Sequence, residues 1–171
     1  MHKIRSAFIH DAFHLAALGR TTFYEGHSSS ASASEMESFL NMKFDLENVK
    51  NELADIKNHY YLISWNEKLV GYSKIILNQS NPCVANEPIA KLERLYILAE
   101  YYDKKLGWEL LSHAIDFAKM NNQKGLWLMV WEKNERAIRF YKKATFAKVG
   151  ETEFRFSPTH ANPNYWMYLE F

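Results

Sequence analysis

The residues whose types and spacing could do chemistry lie mostly between Lys91 and Phe146. One group is a polar turn, Tyr102-Asp103-Lys104-Lys105-Leu106-Gly107, set between an apolar stretch and a helix-patterned one. Amides at a helix start lack intrahelical acceptors and carry the positive end of the dipole, so such a turn suits a phosphate-like anion. Gly107 permits close backbone approach there, and Lys104 and Lys105 add charge. Asp103 puts a negative group in the same turn and has to point away or cap the helix. A second group is Asn134, Ala137, Phe140, Tyr141 and Phe146. By residue type alone, Tyr141 is a partly buried helix tyrosine with a satisfied hydroxyl. Glu93, Glu25 and His27 could accept a proton, although Glu93 equally suits a salt bridge and His27 a solvated loop.

These residues need a scaffold, and the sequence supplies its pattern. Ile4 to Phe8 reads as a short strand, Asp11 to Phe23 as a helix with Asp11 as its cap, and Glu35 to Asn51 as a helix broken near Asp45. The Ser/Ala stretch Ser28 to Ser34 separates them as loop. His59 to Trp65 and Leu69 to Leu77, joined by Asn66-Glu67-Lys68, form an antiparallel pair. Asn78 to Pro88 is loop and Ile89 to Leu98 a strand. Leu106 to Met120 is a helix with Leu106, Leu110, Leu111, Ala114, Ile115 and Ala118 on one face, and Gly125 ends the turn after it. Leu126 to Trp131 is nearly all apolar, as expected of a parallel strand buried on both faces after a crossover helix. Asn134 to Lys143 is helical, Phe146 to Phe154 extended, Ser157 to Asn164 loop and Tyr165 to Phe171 a final strand.

Composition bounds the function. The 171 residues fit one domain, 1–171, with 47% hydrophobic and 24% charged residues, which excludes a disordered chain. Twenty-one Lys and Arg against 20 Asp and Glu give +1, against the basic footprint of a nucleic-acid binder. No apolar run reaches about 18 residues, so neither a membrane span nor a signal segment is expected. The single cysteine, Cys83, can form neither an intrachain disulfide nor a multi-cysteine zinc site, which points to a reducing cytoplasm and no metal. Locally the charge is uneven. Lys133 to Lys148 holds six cations and one acid, a net +5, whereas Ser32 to Asp55 holds six acids and two lysines, a net −4. The first suits phosphates and the second a cationic partner, although solvated helix faces give the same pattern.

In element order and in two motifs the chain resembles the GNAT superfamily of acetyl-CoA-dependent N-acetyltransferases. The pattern N-x-x-A-x-x-F-Y-x-x-x-G-F is met by Asn134, Ala137, Phe140, Tyr141 and Phe146, with Thr145 where glycine is usual. The pattern Q/R-x-x-G-x-G/A after a strand ending like L-Y-V is met by Leu95-Tyr96-Ile97 and Gly107, with Tyr102 for Gln or Arg and Lys105 for the first glycine. The resemblance implies an α/β GNAT fold, a mixed sheet of about seven strands flanked by four helices and splayed at the fourth strand. It implies acetyl-CoA as cosubstrate, held by Leu95, Tyr96, Ile97, Asp103, Lys104, Lys105, Leu106, Gly107, Trp108, Asn134 and Tyr141. Ala137 would let its helix approach that cosubstrate, and Phe140 and Phe146 read as core. Tyr141 would protonate the departing thiolate, and Glu93 or Glu25 would serve as base.

A base or water relay is needed, since an amine with a pKa of about 10 is neutral only about one part in a thousand at pH 7. Some protein-acetylating relatives carry a carboxylate at the position of Met129 or of Lys91, and neither residue can serve. Thr22-Phe23-Tyr24-Glu25, Ser34-Glu35-Met36 and Leu92-Glu93-Arg94-Leu95-Tyr96-Ile97 resemble the bacterial spermine/spermidine acetyltransferase branch. A small-molecule polyamine acceptor follows, with no nucleic acid or membrane as partner and a homodimer compatible with the fold. The alternatives are an antibiotic or peptide amine on the same fold, or a non-catalytic acyl-CoA sensor.

Overall fold

The computed structural model describes residues 1–85 and 87–171. Its elements run β1 (His2–Ser6), α1 (Ala12–His27), α2 (Ala33–Lys43), α3 (Leu46–Ala54), β2 (Asn58–Trp65), β3 (Lys68–Ile76), β4 (Ala90–Ile97), α4 (Leu106–Met120), β5 (Gly125–Trp131), α5 (Glu135–Lys143), β6 (Ala147–Ser157) and β7 (His160–Glu170). Short 3-10 turns at Ile9–Asp11 and Ala99–Lys104 precede α1 and α4. The strands form one mixed seven-stranded sheet in the order β1-β2-β3-β4-β5-β7-β6. The break expected near Asp45 is complete, so the described residues form five α-helices instead of four: the Asp45 carboxylate accepts the Glu47 and Asn48 amides and starts α3 as its N-cap.

The chain packs into two compact units, residues 1–75 with 94–114, and residues 76–93 with 115–171. In the first, consecutive residues of β2 separate two cores, as the alternation of side chains along a strand requires. Leu62 joins Leu15, Ala16 and Leu18 of α1, Val49 of α3 and Tyr72. Ile63 joins Val70, Ile97, Leu106 and Leu110. The β2–β3 turn needs two residues, Asn66 and Glu67, both with positive φ (46° and 69°), which matches the twist of a tight hairpin. Gly71 is required by close approach: a Cβ there would meet the Tyr96 carbonyl oxygen at 2.6 Å and the Ile97 side chain. Asp11 does not cap α1 with its side chain. Its carboxylate receives both Arg5 nitrogens (2.8 and 2.7 Å) and the Phe8 amide (2.9 Å), and these bonds hold it ionised down to about 2.

In the second unit β4 pairs parallel with β5 at Ala90↔Leu126 and Lys91↔Trp127, as the all-apolar pattern of β5 implied. The turn after α4 is closed by Asn122 (φ 58°), not by Gly125, which already lies in β5. Ser157 to Asn164 is not a loop: β7 begins at His160, and Pro163 pairs with Glu153. Pro163 lies beyond the last β5 pair, Trp131↔Asn164, so its missing N–H interrupts no ladder on that side.

Candidate active site

Within the first unit the turn before α4 keeps the conformation that its sequence disguises. Lys105 adopts φ 59°, ψ 14°, the left-handed geometry for which glycine is the default residue. Its carbonyl accepts the Trp108 and Glu109 amides at 3.0 and 3.3 Å, which starts α4 and leaves the Leu106 and Gly107 amides at the helix mouth. Asp103 turns to Lys104 (2.9 Å), so that this lysine is neutralised locally. Lys105 is exposed and its ammonium has no partner among the described residues. Trp108 is also exposed.

The same unit places the end of α1 against the end of β4. Glu25 accepts the Ala99 amide at 2.8 Å, so this candidate base ties the helix to the chain that leaves β4. His27 is not a solvated loop residue: it is the last residue of α1, stacked on Phe23 at 4.5 Å, with Nε2 3.4 Å from the Tyr96 hydroxyl. Burial holds its imidazole down to about 4.

Sequence reasoning missed the buried charge cluster beside these residues. Arg94 and Lys74 are almost fully enclosed. Arg94 grips both oxygens of Glu52 (3.0 and 3.1 Å), and Lys74 reaches the same carboxylate at 3.3 Å. Tyr60 donates to Glu52 and accepts from Arg94 at 2.7 Å. Burial opposes ionisation of Glu52, but Arg94, Tyr60 and the nearby lysines hold its carboxylate down to about 2. The available signal was a charged residue inside each of two apolar strands, Lys74 and Arg94.

That cluster changes the meaning of the acidic segment. Glu52 is paired with Arg94, Glu47 with Lys50 at 2.6 Å, Glu35 closes a capping box with Ser32, Asp45 caps α3 and Asp55 accepts the Lys57 amide. Glu37 is the acid of the six without a partner among the described residues. Most of the net −4 is therefore engaged in holding the helices.

In the second unit Asn134 stands at the N-cap of α5, where Oδ1 accepts the Ala137 amide at 3.1 Å. Tyr141 is buried between Phe140 (5.1 Å) and Phe146 (5.6 Å), yet its hydroxyl has no hydrogen-bond partner among the described residues. Burial pushes that hydroxyl well above the usual tyrosine range, so it stays protonated and available as a donor. The helix ends in a Schellman motif. The Phe146 amide bonds the Tyr141 carbonyl (3.0 Å), the Thr145 amide bonds that of Lys142 (3.0 Å), and Thr145 takes φ 66°. Phe146 is core, while Phe140 is half-buried. Glu93 is half-buried and ion-paired with Lys91, whose ammonium lies over the Trp127 ring at 4.9 Å. Among the described residues no cluster of three or more His, Cys, Asp or Glu is arranged to hold a metal, and no helix is long and apolar enough to cross a membrane.

The chain is similar to known proteins along nearly its whole length. It is 25% identical over 138 residues to an uncharacterized N-acetyltransferase from the pepI 3′ region of Lactobacillus delbrueckii subsp. lactis, covering 81% of this chain and 80% of that one. It is 26% identical over 152 residues to another uncharacterized N-acetyltransferase, of Mycobacterium tuberculosis, covering 89% and 93%. In fold it matches the PaiA N-acetyltransferase of Thermoplasma acidophilum, solved with coenzyme A, at TM-score 0.77 and 22% identity over 100% and 99% of the two chains. Arabidopsis thaliana NAA60, solved with acetyl-CoA, matches at TM-score 0.76 and 14% identity over the same shares. The sequence model of the acetyltransferase (GNAT) family matches residues 21–146, which take in both the α4 turn and the Asn134 to Phe146 motif, and the chain belongs to that family.

Proposed function

We propose that residues 1–171 act as one N-acetyltransferase domain that takes acetyl-CoA as cosubstrate and passes its acetyl group to a primary amine, with a polyamine such as spermidine or spermine as the acceptor class. The observation that carries this reading is the α4 turn. Its left-handed Lys105 keeps the helix-start amides at the mouth and adds an ammonium without a partner among the described residues, a fit for the pyrophosphate of coenzyme A. Asn134 supports it: with Oδ1 used as a cap, the side-chain amide is left to face the pantetheine arm.

In the reaction the amine nitrogen bonds to the thioester carbonyl carbon while the backbone amides at the end of the Leu95 to Ile97 strand receive the developing oxyanion. The carbon–sulfur bond then breaks, and the unpaired Tyr141 hydroxyl gives its proton to the thiolate. No covalent enzyme intermediate is needed, so Cys83 has no role as nucleophile. Glu93 and Glu25 remain the carboxylate candidates for base. Lys91 and the Ala99 amide already occupy them, and each would have to exchange that partner for water or the amine.

Exposed carboxylates at Glu25 and Glu37 support a cationic acceptor. The engagement of the other acids favours a second reading, a less charged amine such as that of a peptide or antibiotic. A thiol-release assay over spermidine, amino acids, aminoglycosides and a peptide N-terminus separates them. Faster turnover of the peptide than of spermidine at equal concentration would overturn the polyamine assignment. Absence of acetyl-CoA binding by calorimetry at submillimolar concentration would overturn the enzyme reading itself.

A further inference from the structure

We infer that Glu52 is a positioning residue: clamped by Arg94 of β4, Lys74 of β3 and Tyr60 of β2, it fixes the seat of α2, whose exposed Glu37 takes part in holding a cationic acceptor. The inference rests on the polyamine reading proposed above and adds to it the group that sets one of its carboxylates in place.

Glu52 stands near the end of α3, and side chains from α2 and three strands meet at its carboxylate. Arg94 reaches both oxygens (3.0 and 3.1 Å) through two nitrogens, a fork that admits one orientation. Lys74 lies 3.3 Å away, Tyr60 donates to the same group, and Lys43, the last residue of α2, stands at 3.5 Å. The Glu52 side chain is 14% exposed and those of Arg94 and Lys74 are 7% exposed, so water does little to screen or replace these bonds. Burial opposes ionisation of Glu52, but Arg94, Tyr60 and the lysines keep it a carboxylate too weakly basic to deprotonate an ammonium, which leaves it a mechanical role.

The seat of α2 follows from that of α3. The Asn48 side-chain amide donates to the Lys43 carbonyl at 2.8 Å and ties the end of α2 to α3, while Asn58 donates to the Glu52 carbonyl at 2.9 Å and ties the end of α3 to β2. Phe44, in the elbow between the two helices, lies with its ring centre 5.5 Å from the Arg94 guanidinium. The same ring fills the space that Gly19 leaves on α1, where a Cβ would meet it at 2.3 Å. The elbow is therefore gripped between α1 and β4, with Arg94 held by Glu52 and by Phe44. Met36, Phe39 and Leu40 of α2 are buried and Glu37 is exposed, and Glu37 lies about two turns before Lys43, so a shift of the elbow carries it along. Apolar residues of similar volume can replace a buried ion cluster with little loss of stability. What the charged cluster supplies beyond such a core is a single geometry for the elbow.

The test uses Glu52→Gln and Glu37→Gln with spermidine as the probe. Each should raise the spermidine KM several-fold, roughly the size of one exposed charge pair, with kcat and acetyl-CoA affinity little changed. If Glu52 acts through Glu37, the double variant should lose no more than the larger of the two single losses. Glu52→Gln leaves Arg94 and Lys74 without their shared carboxylate and can cost folding. The triple variant Glu52→Leu, Lys74→Met and Arg94→Leu, which buries none of the three charges, is therefore measured beside it and should show the same rise in KM. A wild-type spermidine KM in the folded variants, additive losses in the double variant, or an equal fall in acetyl-CoA affinity would overturn the inference. Amide hydrogen exchange reads the anchoring without turnover: Glu52→Gln should speed exchange in α2 and leave α4 as it was. Exchange that is unchanged, or faster in both helices alike, would overturn the anchoring whether or not any amine is acetylated. Spermidine left unacetylated by the wild type would overturn the polyamine reading and with it the part given to Glu37, while the exchange result still decides whether Glu52 seats α2.

Discussion

Lys105, before α4, and Thr145, after α5, stand where the GNAT pattern places glycine, and both hold the left-handed backbone that explains it, φ 59° and 66°. What surrounds them differs. The α4 turn has departed from the pattern at Tyr102 as well, whereas α5 keeps Asn134, Ala137, Phe140, Tyr141 and Phe146. Under the proposed function, the difference follows from where each region would carry its chemistry. Backbone amides can cradle a phosphate whatever side chains surround them, provided φ and ψ are kept, so residue identity is free to drift. A cap carbonyl and a proton-donating hydroxyl are side-chain properties, and substitution removes them outright.

The largest effect is expected where the proposed function assigns the chemistry to a side chain. Tyr141→Phe keeps the packing on Phe140 and Phe146 and removes the unpaired hydroxyl. General acid help is worth about 10² to 10⁴ in rate, so kcat should fall by that order with acetyl-CoA affinity little changed. Steady-state rates with pre-steady-state transfer beside them check this. Wild-type rates in both would leave Tyr141 as a packing residue and erase the contrast with the α4 turn.

Asn134 sharpens the comparison because, under the proposed function, its one amide would both cap α5 and face the cosubstrate. Asn134→Ala should lose about 1 kcal/mol of stability with the cap, and on the order of tenfold in acetyl-CoA affinity with the side-chain amide. Asn134→Asp keeps the capping oxygen and should restore stability but not affinity. Thermal unfolding and calorimetry on the two variants separate the roles, and equal affinity in wild type and Asn134→Asp would confine this residue to the fold.

At Lys105 the backbone and the side chain should pull apart. Lys105→Gly should bind acetyl-CoA several-fold more weakly at low ionic strength, and the deficit should shrink in salt as screening shortens to about 3 Å near 1 M. The amides remain in place, so binding should weaken and not vanish. A loss that persists in high salt would mean that the side chain does more than contribute charge.

How legible these regions were in the sequence follows the same division. The limits of α4 and the alternation between β2 and β3 follow from periodicity, and parallel β5 follows from its unbroken apolar run, because burial imposes all three. The break at Asp45 was visible because a capping carboxylate marks it, although the two helices it creates were counted as one. The start of β7 was hidden by Pro163 and its polar neighbours, which read as loop until Glu153 pairs with them. Asn134 and Tyr141 could be named as candidates only through the resemblance to the GNAT motif. The Glu52, Arg94 and Lys74 cluster and the contact of His27 with Tyr96 could not, since each joins residues far apart in the chain whose meaning lies in burial. The acidic segment shows the cost of reading charge without partners: four of its six acids turn out to be caps or ion-pair members, and a fifth, Asp55, holds a turn through the Lys57 amide.

The smallest effect should come from Thr145, and it isolates the backbone contribution. This residue is exposed, and its hydroxyl bonds the neighbouring Ala144 carbonyl at 2.7 Å. Its position between Ala144 and Phe146 is nevertheless fixed, because the Schellman bonds demand a left-handed residue there and an L side chain pays about 1 to 2 kcal/mol for that conformation. Thr145→Gly removes the strain but adds glycine's freedom to the unfolded chain, about 0.5 to 1 kcal/mol, so the net gain should be within about 1 kcal/mol. In a chain of 171 residues that corresponds to a rise in Tm of about 2 to 4 °C. Amine and acetyl-CoA kinetics should be those of the wild type, because Tyr141 keeps the same carbonyl bond to Phe146 and the same ring contacts. A change in kcat without a change in Tm would mean that the hydroxyl of Thr145 takes part in the site, and the two glycine positions would then be alike in carrying side-chain chemistry of their own.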